Sequence, residues 1–129
     1  MTQEEKQLLL IDLSARLPYG VKLRYVEDLV VKKESHIITL NNIYLEHILN
    51  GDADIKPYLR PMSSMTDEEK EHLQLLHNII SDKNYGDGYA PAAWEAISEF
   101  NVYCYEHHLD NRGLIEIGLA LEAPEHMYD

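Results

Sequence analysis

Hydrophobic residues follow a helical spacing at the start of the chain. Four leucines fall on one face of such a helix: Leu9, Leu10, Leu13 and Leu17. Thr2 and Glu5 precede them at the spacing of a capping box, in which each side chain bonds the other's backbone amide. We therefore predict a helix that ends near Arg16, just before Pro18.

From Val21 onward the hydrophobic period changes to two. Apolar and charged residues alternate over 21–25, which is typical of a half-buried strand. Asn41–Asn42 suits a tight hairpin turn, because Asn tolerates positive φ. We predict a curled antiparallel sheet, SH3-like or a half-barrel, covered by the first helix. Three further β-rich runs complete it: LVVKK (29–33), HIITL (36–40) and IYLEHI (43–48).

Two longer helices are predicted in the second half of the chain. Pro57 and Pro61 bias residues 55–62 toward an extended conformation. Thr66–Glu69 is a second capping box, and the apolar spacing carries its helix to about Ile80. A loop follows, and a third helix begins near Pro91. One stripe of that helix contains Trp94, Ile97, Asn101, Cys104 and His108.

These elements predict a single α+β domain over residues 1–129. Its sub-regions are a helix with a β-meander (1–62) and an acidic helical lobe (63–129). The length is about that of one domain, and a globule of this size buries roughly two-thirds of its unfolded surface. That burial supplies one hydrophobic core without metal or disulfide cross-links.

Charge divides the chain into two unequal halves. The net charge is −12. Residues 1–66 hold nine acids and eight bases, whereas residues 67–129 hold fourteen acids and three bases. An acidic surface repels phosphate backbones, so nucleic-acid binding through the second half is disfavoured, while a basic partner would be attracted.

The sequence favours a cytoplasmic protein. Acids stand at the N-terminus where a signal peptide carries positive charge, and the apolar run 8–11 is short. No stretch approaches the roughly 20 apolar residues of a membrane span. Cys104 is the single cysteine, so an intrachain disulfide is excluded.

Three segments resemble those of a known family. They are ARLPYGVK (15–22), DIKPYLRPMSSMT (54–66) and RGLIEIGLALEAPEHMY (112–128). In this order they are similar to a family of small uncharacterised proteins from gut Bacteroidales and their mobile elements or phages. The resemblance covers nearly the whole chain, and it implies no activity, cofactor or catalytic residue.

Residues that could carry chemistry are concentrated near the end of the third helix. Cys104 has His107 and His108 within one turn, and Glu106 adds a carboxylate. Adjacent histidines point about 100° apart on a helix, however, and cannot easily share a metal. No metal-binding or phosphate-binding motif is present in the sequence, so we predict neither a metal nor a cofactor.

A surface for a partner is the remaining candidate site. Lys22 and Arg24 lie on the face of the first strand opposite Val21 and Leu23, if strands 21–25 and 29–33 form a hairpin. Cations on an exposed sheet face can bind a ligand, and they also keep strands soluble. The candidate interaction residues are Lys22, Arg24, Lys32, Lys33, Tyr85 and Tyr89.

Three functional hypotheses follow from these patterns. The first is a non-enzymatic protein-interaction or accessory protein, related to a mobile element or phage, that binds a host protein. The second is a small hydrolase or nuclease-like enzyme that uses Cys104, His107 and His108. The third is a DNA mimic, in which the carboxylates of the second half imitate phosphates.

The charge asymmetry also predicts head-to-tail self-association into a homo-oligomer. Because attraction between surface charges is screened by salt, the mass in solution should exceed 15.0 kDa at low salt and fall to the monomer value at high salt. Sedimentation or light scattering measures this directly. A monomer under both conditions would contradict the hypothesis.

Overall fold

The protein has an α+β fold, which confirms the predicted class. A computed structural model describes residues 1–28, 30–52, 54–81 and 90–129. They form four α-helices: α1 (Gln3–Arg16), α2 (Asn42–Leu49), α3 (Asp67–Ser81) and α4 (Ala90–Glu106). They also form four strands: β1 (Lys22–Asp28), β2 (Lys33–Thr39), β3 (Ile55–Leu59) and β4 (Leu121–Glu122). Short 3₁₀ turns lie at Leu17–Tyr19 and Met62–Ser64.

The strands form one mixed sheet in the order β2-β1-β3-β4. β1 runs antiparallel to both of its neighbours, with Leu23 opposite Ile38 on β2 and Pro57 on β3. β4 is parallel to β3. The strand order places β2 and β4 at the two ends of this sheet, and the predicted SH3-like closure is not confirmed.

The predicted strand at residues 43–48 is wrong, because this segment is helix α2. Asn41 caps the helix instead of turning a hairpin, since its side-chain oxygen accepts a hydrogen bond from the Tyr44 amide at 2.9 Å. The buried residues Leu45 and Ile48 are three apart. A short apolar run fits both periods, and here the cap decides in favour of the helix.

The predicted hairpin also has a different register. Residues 22–28 pair with residues 33–39, so 29–33 and 36–40 are not two separate strands. Val30 and Val31 lie at the tip of the hairpin and are almost fully exposed. Leu29 lies outside the described residues.

Both predicted capping boxes are confirmed. The Thr2 hydroxyl accepts from the Glu5 amide at 3.1 Å, and the Glu5 carboxylate accepts from the Thr2 amide at 3.0 Å. Thr66 and Glu69 make the same reciprocal pair at the start of α3. These local signals were visible in sequence because both partners lie within one helical turn.

Two hydrophobic clusters form the interior. The larger one joins α1, α2 and the sheet, and it includes Leu114 and Ala120 from the C-terminal segment. The smaller one lies between α3 and α4 and includes Leu73, Cys104 and Leu109. The chain therefore returns from the helical lobe to the sheet after residue 109.

Buried charges connect the two clusters. Asp12 on α1 is fully buried and accepts hydrogen bonds from Arg16 Nε and from Arg112, both at 2.8 Å. Arg16 is also fully buried, and it donates to the Leu109 carbonyl at 2.7 Å and to Asn111 Oδ1 at 3.0 Å. This network fixes α1 to the segment that follows α4.

We expect Asp12→Ala to lower the free energy of unfolding by about 3–5 kcal/mol, because it leaves Arg16 buried without its carboxylate partner. Denaturant unfolding measures the change. Gln7→Ala on the exposed face of the same helix is the matched control and should change stability by less than about 0.5 kcal/mol. Equal losses in the two variants would contradict the role of the network.

Candidate functional site

Residues 107–112, which we call the junction segment, link α4 to the sheet. Arg60, directly after β3, forms a parallel bridge with Leu109. The Arg60 amide donates to the His108 carbonyl at 2.7 Å, and the Asp110 amide donates to the Arg60 carbonyl at 2.8 Å. The end of β3 thus aligns the junction segment as a short extra strand.

Arg60, Glu69 and His107 form an ionic cluster beside the junction segment. The Arg60 guanidinium donates to both Glu69 oxygens, at 2.7 and 2.8 Å. His107 Nδ1 lies 2.9 Å from Glu69 Oε2. Arg60 therefore forms an ion pair with a carboxylate of the acidic second half of the chain. Lys56 instead donates to the Gly118 carbonyl at 3.0 Å.

Glu69 is held in its charged form. Its hydrogen bonds from Arg60 are the largest influence, and they lower the pKa of Glu69 from 4.5 to about 2 despite burial, which acts in the opposite direction. The Thr66 amide adds a further hydrogen bond at 2.8 Å. With four donors on two oxygens, this carboxylate is a structural anchor, not a free base.

A cleft of about 590 Å³ opens over this cluster. Tyr103 forms one wall, where its ring stacks on His107 with centroids 4.1 Å apart and on His72 at 4.3 Å. Further lining groups come from the C-terminal segment: Glu122, Glu125, His126 and Asp129. Acidic side chains outnumber basic ones in this lining, and none of its described residues has the character of an activated nucleophile.

The Tyr128 side chain links strands β1 and β3. Its hydroxyl accepts from the Lys22 amide at 2.8 Å and donates to the Tyr58 carbonyl at 2.7 Å. It thereby bridges β1 and β3 where their direct ladder ends. Burial raises the pKa of Tyr128 to about 12. His108 stacks on the Tyr128 ring with centroids 3.8 Å apart, and burial lowers the pKa of His108 to about 4.

The residues of the hydrolase hypothesis occupy separate environments. Cys104 is fully buried in the smaller cluster, and burial raises the pKa of its thiol to about 11. His107 faces Glu69, His108 stacks on Tyr128, and Glu106 is exposed. A reactive cysteine needs a lowered pKa and solvent access, and Cys104 has neither.

The predicted cationic surface is placed on one face of the sheet. Lys22 and Arg24 are half-buried on the face opposite the buried Val21 and Leu23, as expected. Lys22 Nζ donates a hydrogen bond to the Met127 carbonyl at 3.0 Å.

The other predicted interaction residues divide into three groups. Lys33 pairs with Asp28 in the register, so it joins the face of Lys22 and Arg24. Lys32 lies in the connection before β2 and pairs with Glu34 at 2.9 Å. Tyr85 and Tyr89 lie outside the described residues.

Sequence reasoning missed the edge presented by β2. The Leu40 amide donates to the Val21 carbonyl, so alternate β2 residues bond β1 and the others direct their backbone groups outward. The outward set is Lys33, Ser35, Ile37 and Thr39, and all four side chains are exposed. Residues 33–39 do not alternate between apolar and polar types, so the sequence carries no clear signal for a single strand over this range.

We expect Glu69→Gln to lower the free energy of unfolding at neutral pH by on the order of 3 kcal/mol, because the variant cannot pair with Arg60. A carboxyl group whose pKa is lower in the folded chain stabilises it above the unfolded pKa. That contribution disappears as the pH falls from about 4.5 to about 2. The difference between wild type and variant should therefore vanish over this range.

Denaturant unfolding at a series of pH values measures the difference. Glu68→Gln is the control, since Glu68 is exposed on the same helical turn. A difference for Glu69→Gln that does not change with pH would contradict the assignment.

Comparison of the chain with protein-family models, with curated proteins and with solved structures finds no match. The resemblance to Bacteroidales proteins therefore stays a prediction. Among the described residues, none of the helices has the length and apolar character needed to cross a membrane. The candidate sites are therefore identified from the geometry of this chain alone.

Proposed function

We propose that this protein is a cytoplasmic, non-enzymatic interaction module that binds an extended segment of a partner protein along strand β2. An accessory role in a mobile element or phage would agree with the family resemblance. The partner segment would add a fifth strand to the sheet through main-chain hydrogen bonds, which is a recurring mode of peptide recognition.

Among the described strands, β2 pairs only with β1 and presents its other edge outward. Ser35, Ile37 and Thr39 direct backbone donors and acceptors outward, and their side chains are exposed. Ile37 is 61 % exposed, and Val30 and Val31 extend apolar surface to the hairpin tip. Strand edges with unpaired backbone groups can recruit other chains, so this edge, with the exposed Ile37 at its centre, favours a binding role.

The charge of the same face favours a partner segment that contains acidic residues. Lys33 and Arg24 lie on the outer face next to the β2 edge. Within the described part of the chain, Arg24 Nε is buried and has no hydrogen-bond partner. The guanidinium of Arg24 and the ammonium of Lys33 are positive charges on this face, so they would attract carboxylates of the partner segment.

The ionisable side chains near the junction segment favour a binding role over a catalytic one. Glu69 is saturated by Arg60, His107 and Thr66, and Cys104 is buried with a raised pKa. These groups hold the fold together instead of facing a substrate. A catalytic base or nucleophile needs both access and a matched pKa.

The test compares two charge substitutions at equally exposed isoleucines. Ile37→Lys changes the β2 edge, and Ile43→Lys changes helix α2, where the isoleucine is 65 % exposed. Tagged wild type and both variants are used for affinity capture from the source cell, and the captured protein is then titrated against each purified chain. We expect Ile37→Lys to weaken binding at least tenfold and Ile43→Lys to leave it unchanged.

Two results would overturn the proposal. One is equal binding by wild type and Ile37→Lys, which would place the partner elsewhere. The other is the absence of a reproducible partner whose dissociation constant can be measured. Circular dichroism of each variant shows that the fold is retained before binding is compared.

A further inference from the structure

Three side chains of types that commonly bind metal ions lie close together on the β1–β2 hairpin. Glu27, Glu34 and His36 each offer one atom that can coordinate a metal, and these three atoms lie within 4.8 Å of one another. The register explains this proximity, since Glu27 is opposite Glu34, and His36 is opposite Tyr25 two pairs further along, on the same face of the sheet. Residues directly opposite in an antiparallel pair share a face of the sheet.

The distances are close to those of a bound ion. His36 Nε2 lies 3.1 Å from Glu27 Oε2 and 3.8 Å from Glu34 Oε2. Ligands about 2.0–2.2 Å from a tetrahedral metal are roughly 3.3–3.5 Å apart. Small side-chain rotations would therefore bring all three atoms into coordination without moving the strands.

The charges on the hairpin favour a cation at this point. Like charges directly opposite in a sheet are destabilising, and Glu27 and Glu34 are such a pair. Lys32 Nζ binds Glu34 Oε1 at 2.9 Å, on the carboxylate oxygen that does not face His36. Lys32 thus orients Glu34 while leaving Oε2 available, as second-layer groups commonly do for metal ligands.

We propose that Glu27, Glu34 and His36 bind one divalent transition-metal ion of the Zn²⁺ class. One imidazole with two carboxylates suits Zn²⁺ better than Mg²⁺ or Ca²⁺, which prefer ligand sets made only of oxygen. Three protein ligands leave a fourth position for water. The bound ion joins β1 to β2 beyond the hydrophobic core, so it rigidifies the hairpin. The site does not depend on the partner proposed for the β2 edge.

Isothermal titration of the full chain with ZnCl₂, and separately with MgCl₂, tests the site. We expect one Zn²⁺ per chain and far weaker binding of Mg²⁺. His36→Ala and the isosteric double variant Glu27→Gln/Glu34→Gln should each weaken Zn²⁺ binding at least tenfold. His47→Ala, which removes an exposed histidine on α2, is the matched control and should bind as wild type does.

A second measurement separates site binding from adventitious binding. Zn²⁺ should raise the thermal midpoint of wild type and of His47→Ala, because it binds the folded hairpin. It should leave the midpoint of the double variant unchanged. If wild type does not bind Zn²⁺, or if His36→Ala binds it as wild type does, the proposal is wrong. Equal affinity for Mg²⁺ would also overturn it, since that result indicates a non-selective acidic surface.

Discussion

The buried carboxylate of Asp12 is the interaction on which the rest of the structure depends. It holds Arg16 and Arg112 at 2.8 Å each, and through them it connects the sheet cluster to the helical cluster. Both arginines also face the ring of Tyr105, at 5.1 and 5.5 Å. Burying such charges costs several kcal/mol per ion unless the partners are complete. The fold is therefore stable only when α1 and the junction segment are both in place.

The junction segment also explains why charged groups accumulate at the centre of this protein without forming a catalytic site. Arg60, the residue after β3, forms a backbone bridge with Leu109 of the junction segment. Its side chain at the same time forms an ion pair with Glu69. Residues 56–70 are thus the connection between the two lobes, and within them Lys56, Arg60 and Glu69 have structural partners. The outward backbone groups of β2 and the exposed Val30 and Val31 of the hairpin tip belong to a different part of the fold.

The sequence alone predicts those features whose partners are close along the chain. The capping boxes at Thr2 and Thr66 involve residues three apart, and both are confirmed. The α+β class follows from the change of period near Val21. The strand predicted over 43–48 failed because a run of six residues fits either period until the cap at Asn41 is known.

The candidate sites depend on contacts that sequence spacing does not reveal. Arg16 bonds Leu109 and Asn111, which are 93 and 95 residues away. The convergence of Glu27, Glu34 and His36 requires the hairpin register, and a shift of one residue would move one strand's side chains to the opposite face. The ion pair of Arg60 was predictable in kind, because charge balance changes beyond residue 66, but Glu69 could not be singled out among the neighbouring acids.

Buried ion pairs between the two clusters should make them unfold as one unit. Native-state hydrogen exchange tests this by comparing the amide of Leu23, on the inner strand β1, with that of Cys104, in the last turn of α4. We expect both amides to exchange with the same free energy, equal to that of global unfolding. Exchange of Cys104 at a clearly lower free energy, with Leu23 still protected, would contradict it.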